Sequence, residues 1–213
     1  MKRRKLHRTF SLMTAALCVG AFMLAGCQGE PEAPAARDTP PPMEKTEYEG
    51  TIVAMGDSLT EGYGVPEEAA YPALLKEKLQ AEGFSFQVIN AGISGETSSG
   101  TRSRTEWMLT LDPDIVILET GANDGLRGVD PGVTRENIAE IIRILQKNDV
   151  VVVLAGMRMV RNLGREYTDA FAAIYPALAE KFDVAFIPFF LEGVAGNPAL
   201  NQEDSIHPNA EGY

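Results

Sequence analysis

"TIVAMGDSLTEGYG", Thr51 to Gly64, passes from a β-rich apolar stretch through Gly56-Asp57-Ser58 into small and polar residues. A short apolar run that ends on glycine and leads into a helix-start pattern is a strand, a turn and a helix in succession. The same unit recurs along the chain. Further β-rich runs stand at "FQVIN" (Phe86 to Asn90), "DIVILET" (Asp114 to Thr120), "VVVVLA" (Val150 to Ala155) and "VAFIP" (Val184 to Pro188).

Helical patterns fill the gaps between these runs. In "RENIAEIIRILQKND", Ile138, Ile141, Ile142 and Leu145 fall at i, i+3, i+4 and i+7, so a single apolar stripe faces a sheet. "YPALLKEKLQAEG" and "YTDAFAAIYPALAEKF" also read as helices, and Pro176 is expected to bend or interrupt the second. Near-continuous apolar strands alternating with helices describe an α/β fold with a five-stranded parallel sheet covered on both faces.

Parallel sheets of this kind bind ligands beyond the carboxyl ends of their strands. Each unusual polar cluster lies there: "GDSLTEGYG" after the first strand, "AGISGETSSG" after the second, "GANDG" after the third, "GMRMVRNLGREY" after the fourth and "DSIHP" beyond the fifth.

Two readings compete for Ser58. Ser58-Leu59-Thr60-Glu61 fits a capping box, with serine satisfying a free helix N–H and glutamate reaching back. A nucleophile needs a base instead. The chain has two histidines, His7 near its start and His207 in "DSIHP", with Asp204 three residues before it. On a tight turn the Asp204 carboxylate reaches Nδ1–H of His207 and leaves Nε2 free as a base. Gly95 offers a closely approachable backbone N–H, Asn123 a side-chain NH₂, and Ser58 an N–H at a helix start, which together suit a developing oxyanion.

The ends of the chain read differently. "MKRRKLHR" followed by an apolar stretch from Leu12 to Gly26 has the form of a secretory signal. It closes on Leu24-Ala25-Gly26-Cys27, which resembles the lipobox of bacterial lipoproteins and implies lipidation of Cys27. The competing reading, a transmembrane anchor, needs about 20 apolar residues and leaves the cysteine unexplained. Residues 28–50 carry five prolines and six acids against two bases, the composition of an extended tether. The chain is thus expected to be exported and anchored to a bacterial membrane through Cys27. Removing residues 1–26 takes five positive charges from a formal net charge of -11, leaving -16, which disfavours nucleic acid as a partner. Cys18 would depart as well, leaving no thiol pair for a disulfide or a cysteine-based metal site.

"GDSL" (Gly56 to Leu59), the glycine of "NAGISGET" (Gly95), "GAND" (Gly121 to Asp124) and "DSIHP" (Asp204 to Pro208) resemble the four ordered blocks of the SGNH or GDSL hydrolase family, in particular its bacterial thioesterase and arylesterase branch. The resemblance covers nearly everything from Thr51 onward. It implies a flavodoxin-like three-layer α/β/α sandwich of strand order 2-1-3-4-5 with no cofactor and no metal. It also implies Ser58 as nucleophile, His207 as base, Asp204 as its orienting partner, and an oxyanion hole of Ser58, Gly95 and Asn123. The substrates implied are acyl esters or thioesters, with lysophospholipids among them. Met157 to Tyr167 falls where the family places an acyl-binding loop. Members of the family continue past "HPNAEGY" into a closing helix, so the domain at residues 51–213 is expected to lack that element. Two alternatives stay open here: a carbohydrate O-deacetylase of the same family, and a flavodoxin-like lipoprotein that binds without chemistry.

Overall fold

The computed structural model describes residues 47–159 and 163–213. The expected signal, Cys27 and most of the tether lie outside the described residues, as do three positions of the acyl-loop segment, 160–162.

Five parallel strands form one sheet in the order β2-β1-β3-β4-β5, with β1 Gly50–Gly56, β2 Phe86–Gly92, β3 Ile115–Glu119, β4 Val151–Ala155 and β5 Ala185–Ile187. The sequence-based strands and their order are those observed. In register, Gly56 at the end of β1 pairs with Gly92 of β2, and Glu119 of β3 pairs with Ala155 of β4. The carboxyl ends are therefore level, and the loops that follow them share one rim.

Seven α-helices are found among the described residues: α1 Ser58–Glu61, α2 Tyr71–Ala81, α3 Ser98–Met108, α4 Ala122–Leu126, α5 Pro131–Lys147, α6 Arg165–Ala172 and α7 Ile174–Phe182. Right-handed crossovers put α2 on one face of the sheet, because the chain steps from β1 to β2 in one direction. Every later crossover steps the other way and lands on the opposite face, where α3 packs on α5 and α5 on α7.

That second face holds the main core. Val53, Met55, Val116, Leu118, Val152 and Leu154 meet the stripe Ile138, Ile141, Ile142 and Leu145 of α5, and none of these exceeds 2% exposure. Each such side chain contributes about 1.5–3 kcal/mol through burial. Asp130 caps α5 by accepting from the Gly132 N–H at 2.7 Å, and Pro131 supplies a preset first turn.

The helix containing Pro176 is interrupted, as its ring requires. Proline has no N–H for the carbonyl four residues earlier, Ala172, and would collide with it. The chain breaks there, ending α6 at Ala172 and restarting α7 at Ile174.

Candidate active site

The turn after β1 resolves the competition at Ser58. Asp57, not Ser58, caps α1: its Oδ1 accepts from the Leu59 N–H at 3.0 Å. Glu61 turns away and accepts from Ser94 Oγ. Ser58 is left in the first turn with its hydroxyl free of capping duty. Gly56 is needed for this tight packing, since a Cβ there would lie 2.0 Å from Thr60 Oγ1 and 2.7 Å from the Glu119 carbonyl.

The Ser58 hydroxyl meets the imidazole instead. His207 Nε2 lies 2.9 Å from Ser58 Oγ, and His207 Nδ1 lies 2.6 Å from Asp204 Oδ2. Asp204 Oδ1 also accepts from the Ile206 and His207 N–H groups at 2.9 and 3.0 Å, closing the turn that carries both residues. Desolvation works to raise the Asp204 pKa, but the hydrogen bonds from the His207 ring and the two backbone N–H groups outweigh it and hold the carboxyl at about 2. A permanently charged Asp204 fixes the tautomer that puts the proton on Nδ1 and the lone pair on Nε2. Ser205 completes the turn in the left-handed region, with φ 59°.

Two residues that sequence reasoning missed hold this loop against the Ser58 turn. Gln202 donates through Nε2 to the carbonyls of Tyr63 at 2.6 Å and Pro208 at 2.9 Å, and its backbone N–H donates to the His207 carbonyl at 2.8 Å. The Tyr63 ring lies against the imidazole with centroids 4.7 Å apart.

Gly95 and Asn123 line the same cavity as Ser58 and His207. Gly95 adopts φ 77°, which a residue with a side chain rarely accepts. The Ser58 and Gly95 backbone N–H groups donate to no protein acceptor among the described residues. Asn123 Nδ2 donates to Asp57 Oδ2 at 3.1 Å, so Asp57 sets both the start of α1 and the orientation of the Asn123 carboxamide.

Buried polar contacts fix these loops from behind. Asp124 accepts from the Ser98 N–H at 2.7 Å and from Ser98 Oγ at 2.5 Å, which caps α3 from a distant segment. Arg104 of α3 pairs with Glu96 at 2.7 Å and donates to the Gly56 carbonyl at 3.2 Å, linking the Gly95 loop to the end of β1. An "ND" pair after a strand and an acid beside Gly95 were visible in the sequence, but their partners were not.

The cavity measures about 530 Å³ and its walls are mostly apolar: Leu126, Met157, Met159, Phe189, Leu191 and Ile206. Met157 and Met159 of the expected acyl-binding loop are among them. Of that segment's arginines, Arg158 lies over the Phe189 ring at 5.0 Å, and Arg165 pairs with Asp169 at 3.7 Å in solvent.

Comparison with known proteins places these observations among relatives. Residues 54–213 match the model of the GDSL-like lipase/acylhydrolase family. The chain is 41% identical over 162 residues to thioesterase 1/protease 1/lysophospholipase L1 of Escherichia coli strain K12, covering 76% of each chain. It is 40% identical over 161 residues to an arylesterase of Vibrio mimicus, covering 75% of this chain and 80% of the relative. Among solved structures, the SGNH-hydrolase family esterase AlinE4 superposes with a TM-score of 0.72 at 43% identity, over 78% of this chain and 89% of that one.

Proposed function

The chain belongs to the GDSL-like lipase/acylhydrolase family and is a GDSL-type ester hydrolase, and from that premise we propose that it works through an acyl-enzyme on Ser58 Oγ. The observation that carries this reading is the continuous relay from Asp204 Oδ2 through the imidazole to Ser58 Oγ, at 2.6 and 2.9 Å.

In the first half-reaction Ser58 Oγ attacks the acyl carbon while its proton passes to His207 Nε2. The carbonyl electron pair moves onto oxygen, where the Ser58 and Gly95 N–H groups and the Asn123 carboxamide receive it. Collapse of the tetrahedral intermediate expels the alcohol or thiol, which takes the proton from the imidazolium. Water then attacks the acyl-enzyme, gives its proton to Nε2, and a second collapse returns that proton to Ser58 Oγ as the acid leaves.

The apolar walls beside Ser58 suit an acyl chain longer than acetyl, so lipid-derived esters, lysophospholipids included, are the proposed substrates. Anchoring by a lipid on Cys27 is the companion proposal, supported by Leu24-Ala25-Gly26-Cys27 at the end of an export-like leader. Metabolic labelling with a fatty-acid probe is expected to mark the wild type and not Cys27→Ala; equal labelling removes the anchor.

A fluorophosphonate probe tests the chemistry directly. It is expected to label the wild type covalently and to leave Ser58→Ala unlabelled, and labelling of both, or of neither, overturns Ser58 as nucleophile.

A further inference from the structure

Glu119, the last residue of β3, is a buried carboxyl that the reaction does not use. It is 0% exposed, as is Asp57, the residue before Ser58. Glu119 Oε2 accepts from Thr60 Oγ1 at 2.9 Å and from the Asp57 N–H at 3.2 Å. Its Oε1 is buried without a hydrogen-bond partner. No salt bridge reaches the Glu119 carboxyl among the described residues.

Two adjacent buried acids without a cation share at most one negative charge. Their partners decide where it sits. Both oxygens of the Asp57 carboxyl accept, Oδ1 from the Leu59 N–H and Oδ2 from the Asn123 NH₂, which favours its anion; on Glu119 both donors, Thr60 Oγ1 and the Asp57 N–H, fall on Oε2 and leave Oε1 bare. The other groups facing Glu119 offer no compensation. Tyr71 of α2 lies 3.4 Å from Thr60 Oγ1, and Tyr175 of α7 and Tyr213 approach as phenols. Burial raises both carboxyls; on Asp57 the Leu59 and Asn123 donors and the facing His207 ring work against it, whereas on Glu119 the negative charge of Asp57 adds to it and pushes the carboxyl well above the usual carboxylate range.

We propose that Glu119 is a positioning residue held as the neutral acid with its proton on Oε1, keeping the single charge of the pair on Asp57, which holds the Asn123 carboxamide and the first turn of α1 in place around Ser58. The kinetic part of this inference rests on the acyl-enzyme reading above; the protonation state does not.

Infrared difference spectroscopy and kinetics test it together. At neutral pH, the wild type minus Glu119→Gln spectrum is expected to show the C=O stretch of a protonated carboxyl. Glu119→Ala strands the Thr60 hydroxyl and the Asp57 N–H, so kcat on p-nitrophenyl butyrate is expected to fall on the order of 10²-fold with KM little changed. Glu119→Gln, which keeps an acceptor and a neutral head, is expected to recover kcat to within about tenfold of wild type. An ionised-carboxylate band in the difference spectrum overturns the proposal, as does a Gln variant as impaired as Ala, or an Ala variant with wild-type kcat. If Glu119→Ala does not fold, the spectrum and the Gln kinetics decide. The C=O band is expected to persist in Ser58→Ala, so a failed nucleophile assignment leaves this readout standing.

Discussion

Asn123 donates its carboxamide to Asp57 Oδ2 at 3.1 Å, across 66 positions of sequence, and that bond ties the rim of β3 to the rim of β1. One N–H of the NH₂ group is spent on Asp57 and the other is available to an oxyanion. Asn123→Ala is expected to lower turnover on the order of 10²–10³-fold with a melting temperature close to wild type. Steady-state kinetics beside a thermal melt check this, and near-normal kcat removes Asn123 from the proposed oxyanion hole.

The turn that carries His207 makes Asp204→Asn informative. An amide at position 204 no longer enforces the proton on Nδ1, and if the proposed relay operates, turnover is expected to drop on the order of 10⁴-fold, the size of the same change in a Ser-His-Asp triad. A loss below tenfold would show that the imidazole finds its tautomer unaided.

Asp204 also links folding to pH. Its folded-state pKa is about 2, below the ordinary 3.8, so its contribution to stability is present above about pH 4 and is lost as pH falls through the folded value. Melting temperatures of wild type and Asp204→Asn, measured from pH 6 down to about pH 2, are expected to converge at the acid end. A gap that stays constant over that range contradicts the depressed pKa.

The Arg104–Glu96 pair is nearly enclosed, with side chains 14% and 9% exposed. Removing one partner leaves the other charge buried, and Arg104→Met is expected to cost about 3–5 kcal/mol in urea denaturation. The double variant with Glu96→Gln is expected to recover part of that loss. An Arg104→Met variant within about 1 kcal/mol of wild type would assign the pair the weight of a surface contact.

Ser205 sits at φ 59° without the freedom of glycine. Ser205→Gly relieves that conformation while adding entropy to the unfolded chain, for a net gain of up to ~1 kcal/mol. The same variant is expected to retain the 2.6 Å Asp204–His207 contact and therefore most of its turnover. A loss of stability would mean that the turn draws more from the Ser205 side chain than it spends on its backbone.

The sheet was legible in the sequence because its information is local. Runs of β-branched residues mark the strands, and the 3.6-residue spacing of Ile138, Ile141, Ile142 and Leu145 marks the face of α5 that is buried. Pro176 marked a helix break for the same reason, since its steric demand falls on its own chain four residues back. The serine, histidine and aspartate were picked out by pattern and elimination, Ser58 just after β1 and Asp204 and His207 on a turn well beyond the end of β5.

What the sequence could not decide were pairings between distant segments. It allowed Ser58 to be a cap or a reacting group, and only the folded turn, with Asp57 on the Leu59 N–H, left the hydroxyl for His207. It likewise carried Glu119, Gln202 and Arg104 as unremarkable residues, because their meaning depends on which carbonyl, carboxyl or hydroxyl lies opposite. Periodicity and turn chemistry act within a few residues and can be read in order; burial and charge compensation act through space, and exist only once the strands stand side by side.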